Sequence, residues 1–135
     1  MNKKGFTLIE LLAVIVILAI IALIATPIIL GIIDDARKEA KQRTAELVVK
    51  GVELAYTSYL FDTNGAEPDD ACDFMTNEFF AMNKGELGTC SENSVVVTAN
   101  NVEFTITYGN GVATMTTTDA DVDLSTLGTI KLASN

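Results

Sequence analysis

Between Phe6 and Ile33 the chain places 28 residues, of which only Thr7, Glu10, Thr26, Pro27 and Gly31 are not apolar. A run of this kind is a buried core helix, a removable secretory signal or a membrane anchor. Drawn as one helix it would be roughly 42 Å long, more than the roughly 30 Å of hydrocarbon in a bilayer. A secretory core is shorter, carries no acid and ends at an A-x-A pattern. Here Glu10 lies inside the run, and no such pattern follows it. The anchor reading is therefore preferred. Lys3 and Lys4 precede the run and Asp34-Asp35 follow it, which puts the start in the cytoplasm and the remainder of the chain outside.

The remainder, 34–135, has the apolar fraction of an ordinary water-soluble domain. The 135 residues thus divide into one apolar rod and one domain, which excludes a pair of domains, a disordered tail and a polytopic membrane protein. Nine basic residues against eighteen acidic give a net charge of −9. Because two of the bases precede the rod, the exported part is more acidic still, and general nucleic-acid binding by its surface is not expected. The chain has no histidine, so triad hydrolysis, most zinc chemistry and imidazole acid–base catalysis lose their usual group. No spacing of carboxylates or threonines suggests a catalytic arrangement, and the sequence reads as that of a protein that is not an enzyme.

Glu10 asks for a role, because an acid near the centre of a bilayer costs about 2.5–3.5 kcal/mol on insertion scales. So close to the start of the rod it could snorkel to the headgroups; its neighbours point elsewhere. Residues 5–12 read Gly-Phe-Thr-Leu-Ile-Glu-Leu-Leu after the basic leader Met1-Asn2-Lys3-Lys4. This resembles the class III signal of type IV prepilins and the related pseudopilins, with the short leader and phenylalanine of the type IVa subgroup. The resemblance covers about 30 residues closely and the rest in architecture. It implies that a membrane-embedded prepilin peptidase cuts after Gly5 and that Phe6 becomes the N-methylated first residue. It implies also that Glu10 pairs with the terminal amine of a neighbouring subunit during assembly. A desolvated pair between axially shifted copies would set register, and a head-to-tail contact that does not close builds a helical filament. Pro27 cannot donate to the carbonyl of Leu23 and is expected, with Gly31, to kink or loosen the rod. Family members carry a proline here beside a segment that unwinds; many also carry a glycine where this chain has Ala19.

The expected layout is a leader over 1–5, a transmembrane and assembly helix over 6–33, and an exported head over 34–135. The fold is α+β and pilin-like, a long helix packed on a small antiparallel sheet of three or four strands. Over 34–61 the spacing of Ala45, Val48, Val52, Ala55 and Tyr59 predicts an amphipathic helix, with Leu47, Leu54, Tyr56 and Leu60 widening its stripe. Glu39–Arg43 and Glu46–Lys50 are i, i+4 pairs on its wet face. The segment 62–93 is an αβ loop with a short helix. Pro68-Asp69-Asp70 reads as its start and Lys84-Gly85 as its end, with Phe74, Met75, Phe79 and Met82 buried. Cys72 and Cys90 are either joined or two unpaired thiols; in an exported domain a disulfide is the simpler reading, contributing about 3 kcal/mol. From 94 to 135 the period becomes two. Val95 and Val97 open a strand, Asn100-Asn101 turn it, and Val102, Phe104, Ile106 and Tyr108 alternate with polar residues. Gly109-Asn110-Gly111 marks a tight turn that leaves two registers open, and Thr129–Leu132 adds an edge strand.

Asp119, Asp121 and Asp123 have the spacing that opens an EF-hand loop, without its later glycine and glutamate. A solvated acidic loop is preferred to a metal site, with weak calcium binding as the alternative and no other cofactor expected. The resemblance implies a structural subunit of a type IV pilus, working with the pilus or secretion assembly machinery and forming a homo-oligomeric helical filament. Retention of Glu10 favours a stacking subunit. The alternatives are a pseudopilin of a type II secretion or DNA-uptake machine and a membrane-anchored binding domain that never polymerises. The expected locations are the cytoplasmic membrane as a prepilin, then an extracellular pilus or an envelope-spanning pseudopilus.

Overall fold

A computed structural model describes residues 4–75, 85–91 and 93–132. The chain divides into two compact units, Met1–Arg37 and Lys38–Asn135. The first unit consists of a short non-helical entry and the start of helix α1 (Leu8–Asp62). Every leucine, isoleucine and valine from Leu8 to Ile33 is at least 40% exposed. A buried core helix is thereby excluded, and the stretch is long and apolar enough to cross a membrane. The helical span continues through Pro27, where the adjacent Thr26 hydroxyl donates to the Ala22 carbonyl at 2.7 Å.

In the second unit the rest of α1 packs on a five-stranded antiparallel sheet of order β1-β2-β3-β4-β5. The strands are β1 (Gly85–Ser91), β2 (Ser94–Ala99), β3 (Val102–Gly109), β4 (Val112–Thr117) and β5 (Thr129–Lys131). Ala45, Val48, Val52, Ala55 and Tyr56 of α1 are buried in one core with Val95, Val97, Val102, Phe104, Ile106, Tyr108, Ala113 and Met115. Burial alternates strictly along β3, as a strand with one wet face requires. The turns follow from residues that accept left-handed backbone: Asn100 and Asn101 have φ of 49° and 61°, Asn110 and Gly111 of 52° and 75°. Two consecutive positive φ values match the right-handed twist of a two-residue hairpin. Of the two registers left open, the structure has Asn110-Gly111 at the turn, with Ile106 opposite Met115 and Tyr108 opposite Ala113.

Four expectations need correction. Among the described residues the sheet has five strands, because Gly85–Ser91 pairs with β2 as an edge strand. Its sequence, Gly-Glu-Leu-Gly-Thr-Cys-Ser, offers one large apolar residue and no alternation, and its pairing shifts register between Leu87 and Cys90. The expected helix after Pro68 is described only as α2 (Ala71–Phe74). Gly85 belongs to β1 rather than to a helix end, while Phe79, Met82 and Lys84 lie outside the described residues. Leu47 and Leu54 do not widen the buried stripe; they are 69% and 58% exposed, because both lie about half a turn from its centre. Glu39–Arg43 forms its ion pair, whereas no Glu46–Lys50 pair is made among the described residues.

Two links fasten α2 to the sheet. Cys72 and Cys90 form a disulfide with Cα atoms 5.8 Å apart. Asn93, held at φ 66°, accepts from Ala71 N–H at 2.9 Å and donates its amide to the Tyr108 carbonyl. Asp70 caps α2 and forms a reciprocal capping box with Asp73. Above this junction the rings of Tyr56, Phe74 and Tyr108 pack with centroids 5.4–5.9 Å apart, and burial pushes the Tyr56 phenol up to about 12. Asn93→Ala strips partners from two backbone groups and places a side chain other than Asn or Gly at positive φ. The expected cost is about 1–3 kcal/mol, read as a lower denaturant midpoint with an unchanged slope.

Candidate assembly site

Two polar residues of the apolar unit, Thr7 and Glu10, meet at the first turn of α1. Thr7 precedes the helix and its carbonyl takes the first intrahelical bond, from Leu11 N–H at 3.1 Å. Its own N–H donates to Glu10 Oε2 at 2.9 Å, and Glu10 N–H donates to Thr7 Oγ1 at 3.3 Å. This reciprocal pair is a capping box: two of the amides left over at a helix start are satisfied by the two side chains. The Thr-x-x-Glu spacing was present in the sequence and is the signal that a reading centred on the charge alone overlooks. The structure therefore changes the account of Glu10 in a single subunit. Its carboxylate has partners of its own and lies at the positive end of the helix dipole, where an anion is favoured. Only Oε2 is used; among the described residues Oε1 accepts no hydrogen bond.

Residues 4–7 are non-helical, so the Gly5–Phe6 peptide lies just outside the capped helix. Among the described residues nothing crowds Gly5, and the Phe6 side chain is 93% exposed. Cys72 and Cys90, also singled out in advance, are brought together as well. With Asp70 they place ligand-type atoms within 4.8 Å, but a disulfide sulfur carries no thiolate charge and is not a metal ligand of the usual kind.

The three aspartates of the C-terminal loop do not act as one cluster. Asp119 and Asp121 both meet Lys41 of α1, with Nζ 2.9 Å from an oxygen of each. Asp123 instead accepts from Ser125 N–H at 2.9 Å. The hydrogen bonds it donates to Asp121 and Asp119 hold the Lys41 ammonium above its ordinary range, and the bond accepted from Lys41 holds Asp119 below its own. Asp123 is lowered through Ser125.

The N-terminal geometry coincides with a known signature. Residues 1–26 match the family model described as a prokaryotic N-terminal methylation motif. The chain is similar to the type IV narrow pilus major component PilA5 of Thermus thermophilus, at 34% identity over 117 residues, covering 86% of this chain and 95% of that protein. It is also similar to the ComG operon protein 3 homolog of Bacillus licheniformis, at 32% identity over 71 residues, covering 53% of this chain and 69% of that one. No solved structure matches it significantly. The chain belongs to the type IV pilin and pseudopilin family.

Two measurements test these sites. In detergent micelles, Thr7→Val should speed amide exchange at Glu10, whereas Thr7→Ser, which keeps the hydroxyl, should not. For the Lys41 ion pairs the sign follows from the two shifts. A lowered Asp119 stabilises the fold above the ordinary aspartate value near 3.9 and loses that effect as pH falls through its lower folded value. A raised Lys41 stabilises below about 10.4 and loses its effect as pH rises through the higher folded value. The stability lost in Asp119→Asn relative to wild type should therefore be constant from about pH 5 to 9. It should shrink on either side, as read from urea midpoints across pH.

Proposed function

We propose that this chain is the structural subunit of a type IV pilus. It is made as a prepilin with its N-terminus in the cytoplasm and its head outside, cut after Gly5 by a prepilin peptidase and methylated on the new amine of Phe6. It then polymerises through α1 into a filament displaying acidic heads, and the role is structural rather than catalytic. The observation that carries this reading is an apolar helical stretch whose large side chains are exposed among the described residues, and whose first turn holds one carboxylate beside the expected cut. Glu10 Oε1 is the acceptor for the amine of a neighbouring subunit. That contact can form without dismantling the capping box, which occupies Oε2. Pro27 and Gly31 are the places where the helix can loosen as it leaves lipid.

The head supplies further support. Leu47, Leu54 and Phe61 recur every seven residues on α1 and are 69%, 58% and 85% exposed, a stripe on the side of the helix away from its own sheet. Such a stripe suits packing against other copies. The second reading, a pseudopilin of a secretion or DNA-uptake machine, has the match to the ComG operon protein 3 homolog on its side.

Intact mass and N-terminal analysis of filaments sheared from cells separates the readings. An abundant protein starting at methylated Phe6 is expected. Processing at Phe6 without release would favour the pseudopilin, and a retained Met1–Gly5 would overturn polymerisation altogether. Glu10→Ala should be processed yet fail to give filaments, and assembly at the wild-type rate would remove Glu10 from the mechanism. Leu47→Gln with Leu54→Gln should leave the head's melting temperature within about 2 °C of wild type while reducing filament yield.

A further inference from the structure

Among the described residues the two edges of the sheet are built to discourage a further strand, and the strand beneath one of them is not. β5 is three residues long and ends in Lys131. β1 carries Glu86, two glycines and a bulge between Leu87 and Cys90. Short, charged and bulged edges are poor templates for another chain. β2 is the opposite. Ser94-Val95-Val96-Val97-Thr98-Ala99 has no charge, proline or glycine and three β-branched residues in a row, the composition of a segment that adds strands readily. β3 pairs with β2 along all six residues, so the remaining edge of β2 is the one that β1 covers. The fit there is close: a Cβ on Gly88 would stand 3.1 Å from the Val96 carbonyl oxygen.

β1 has little hold of its own on this edge. Its one large apolar residue, Leu87, is half-buried, and the bulge interrupts its pairing opposite Val96. Cys90 ties it to Cys72 of α2, and α2 is anchored separately. Phe74 and the following Met75 are buried, Phe74 packs on Tyr56 and Tyr108, and Ala71 N–H donates to Asn93 Oδ1 at 2.9 Å. We propose that the Cys72–Cys90 disulfide is a redox-operated clip that keeps β1 over β2, and that its reduction bares the β2 edge for the β2 of a second copy. A dithiol supplies the electrons. One of its thiolates attacks the sulfur of Cys90, an exposed residue, forming a mixed disulfide and releasing Cys72 as a thiolate. The second thiol of the reagent then displaces Cys90. The dithiol leaves as a disulfide, oxidised by two electrons, and its two protons end on Cys72 and Cys90 as thiols. With the bond cut, Phe74 and Asn93 still hold α2, whereas β1 is left with its interrupted pairing. A second copy is the partner that fits, because this edge matches itself. Antiparallel pairing centred on Val96 sets Val95 against Val97 and Ser94 against Thr98, and buries no charge from either acidic head. The inference concerns the head alone and holds whether or not the chain forms filaments.

The test uses the full chain in detergent micelles, with and without dithiothreitol as the dithiol. Amide hydrogen exchange reports on each strand, and sedimentation velocity reports on association. Reduction should speed exchange across Gly85–Leu87 about tenfold or more, while β3 and β4 keep their protection, and should increase association. Cys72→Ser with Cys90→Ser should behave as the reduced chain without dithiothreitol. Adding Thr98→Lys, which places the lysine between Glu86 and Glu103 on the neighbouring strands, should leave exchange fast and return association to that of the oxidised chain. Unchanged exchange across β1 on reduction would show that the disulfide clips nothing. Protection lost across β3 and β4 as well would make it a staple of the whole head rather than of one strand. A β1 released without association, or association that Thr98→Lys leaves intact, would remove β2 as the docking edge. Each of these results overturns the inference.

Discussion

The fate of this chain is set by the apolar surface between Phe6 and Ile33, which its own fold leaves bare. Covering a leucine or isoleucine side chain is worth about 1.5–3 kcal/mol. Summed over such a stretch, the driving force exceeds the whole stability of an ordinary domain, about 5–15 kcal/mol. The surface must therefore be covered by something outside the subunit, a bilayer or other copies of the same helix. Lipid tails and neighbouring leucines are equally apolar, so exchanging one for the other costs little hydrophobic free energy. Packing and polar contacts then decide which state wins.

That balance explains why the few polar groups in the stretch matter. The capping box makes Glu10 tolerable in an unassembled subunit, since two backbone amides share the carboxylate and threonine hydroxyl. An acid so placed has partners within its own helix start and keeps its second oxygen free of them among the described residues. A wholly unsatisfied carboxylate would snorkel or take up a proton; a fully satisfied one would have nothing to offer a neighbour.

Legibility in the sequence followed periodicity. Val102 to Tyr108 and the Asn-containing turns were readable because alternation and left-handed backbone leave few alternatives. The rod was readable from composition alone. β1 was not, because an edge strand bulged between Leu87 and Cys90 takes its position from pairing with β2 and carries little pattern of its own. Leu47 and Leu54 misled for the opposite reason. They look like core residues by type, and only the direction of the helix face shows that they point away from the sheet. At the candidate site, Gly5, Phe6 and Glu10 could be named from the motif. Thr7 as the partner of Glu10 was written in the Thr-x-x-Glu spacing, whereas Lys41 as the partner of two aspartates 78 and 80 residues away required the fold.

The head answers its surplus of acid by local means. Asp70 and Asp73 are absorbed into a helix cap, Asp123 into a turn with Ser125, and Asp119 and Asp121 into one lysine. Carboxylates used this way shape backbone without requiring the chain to carry a basic residue for each. The acids left unpaired keep the surface strongly negative, which favours solubility and discourages heads from associating at random. Association is then steered toward the surface where charge is absent and apolar area is continuous. In this chain that surface is the helix.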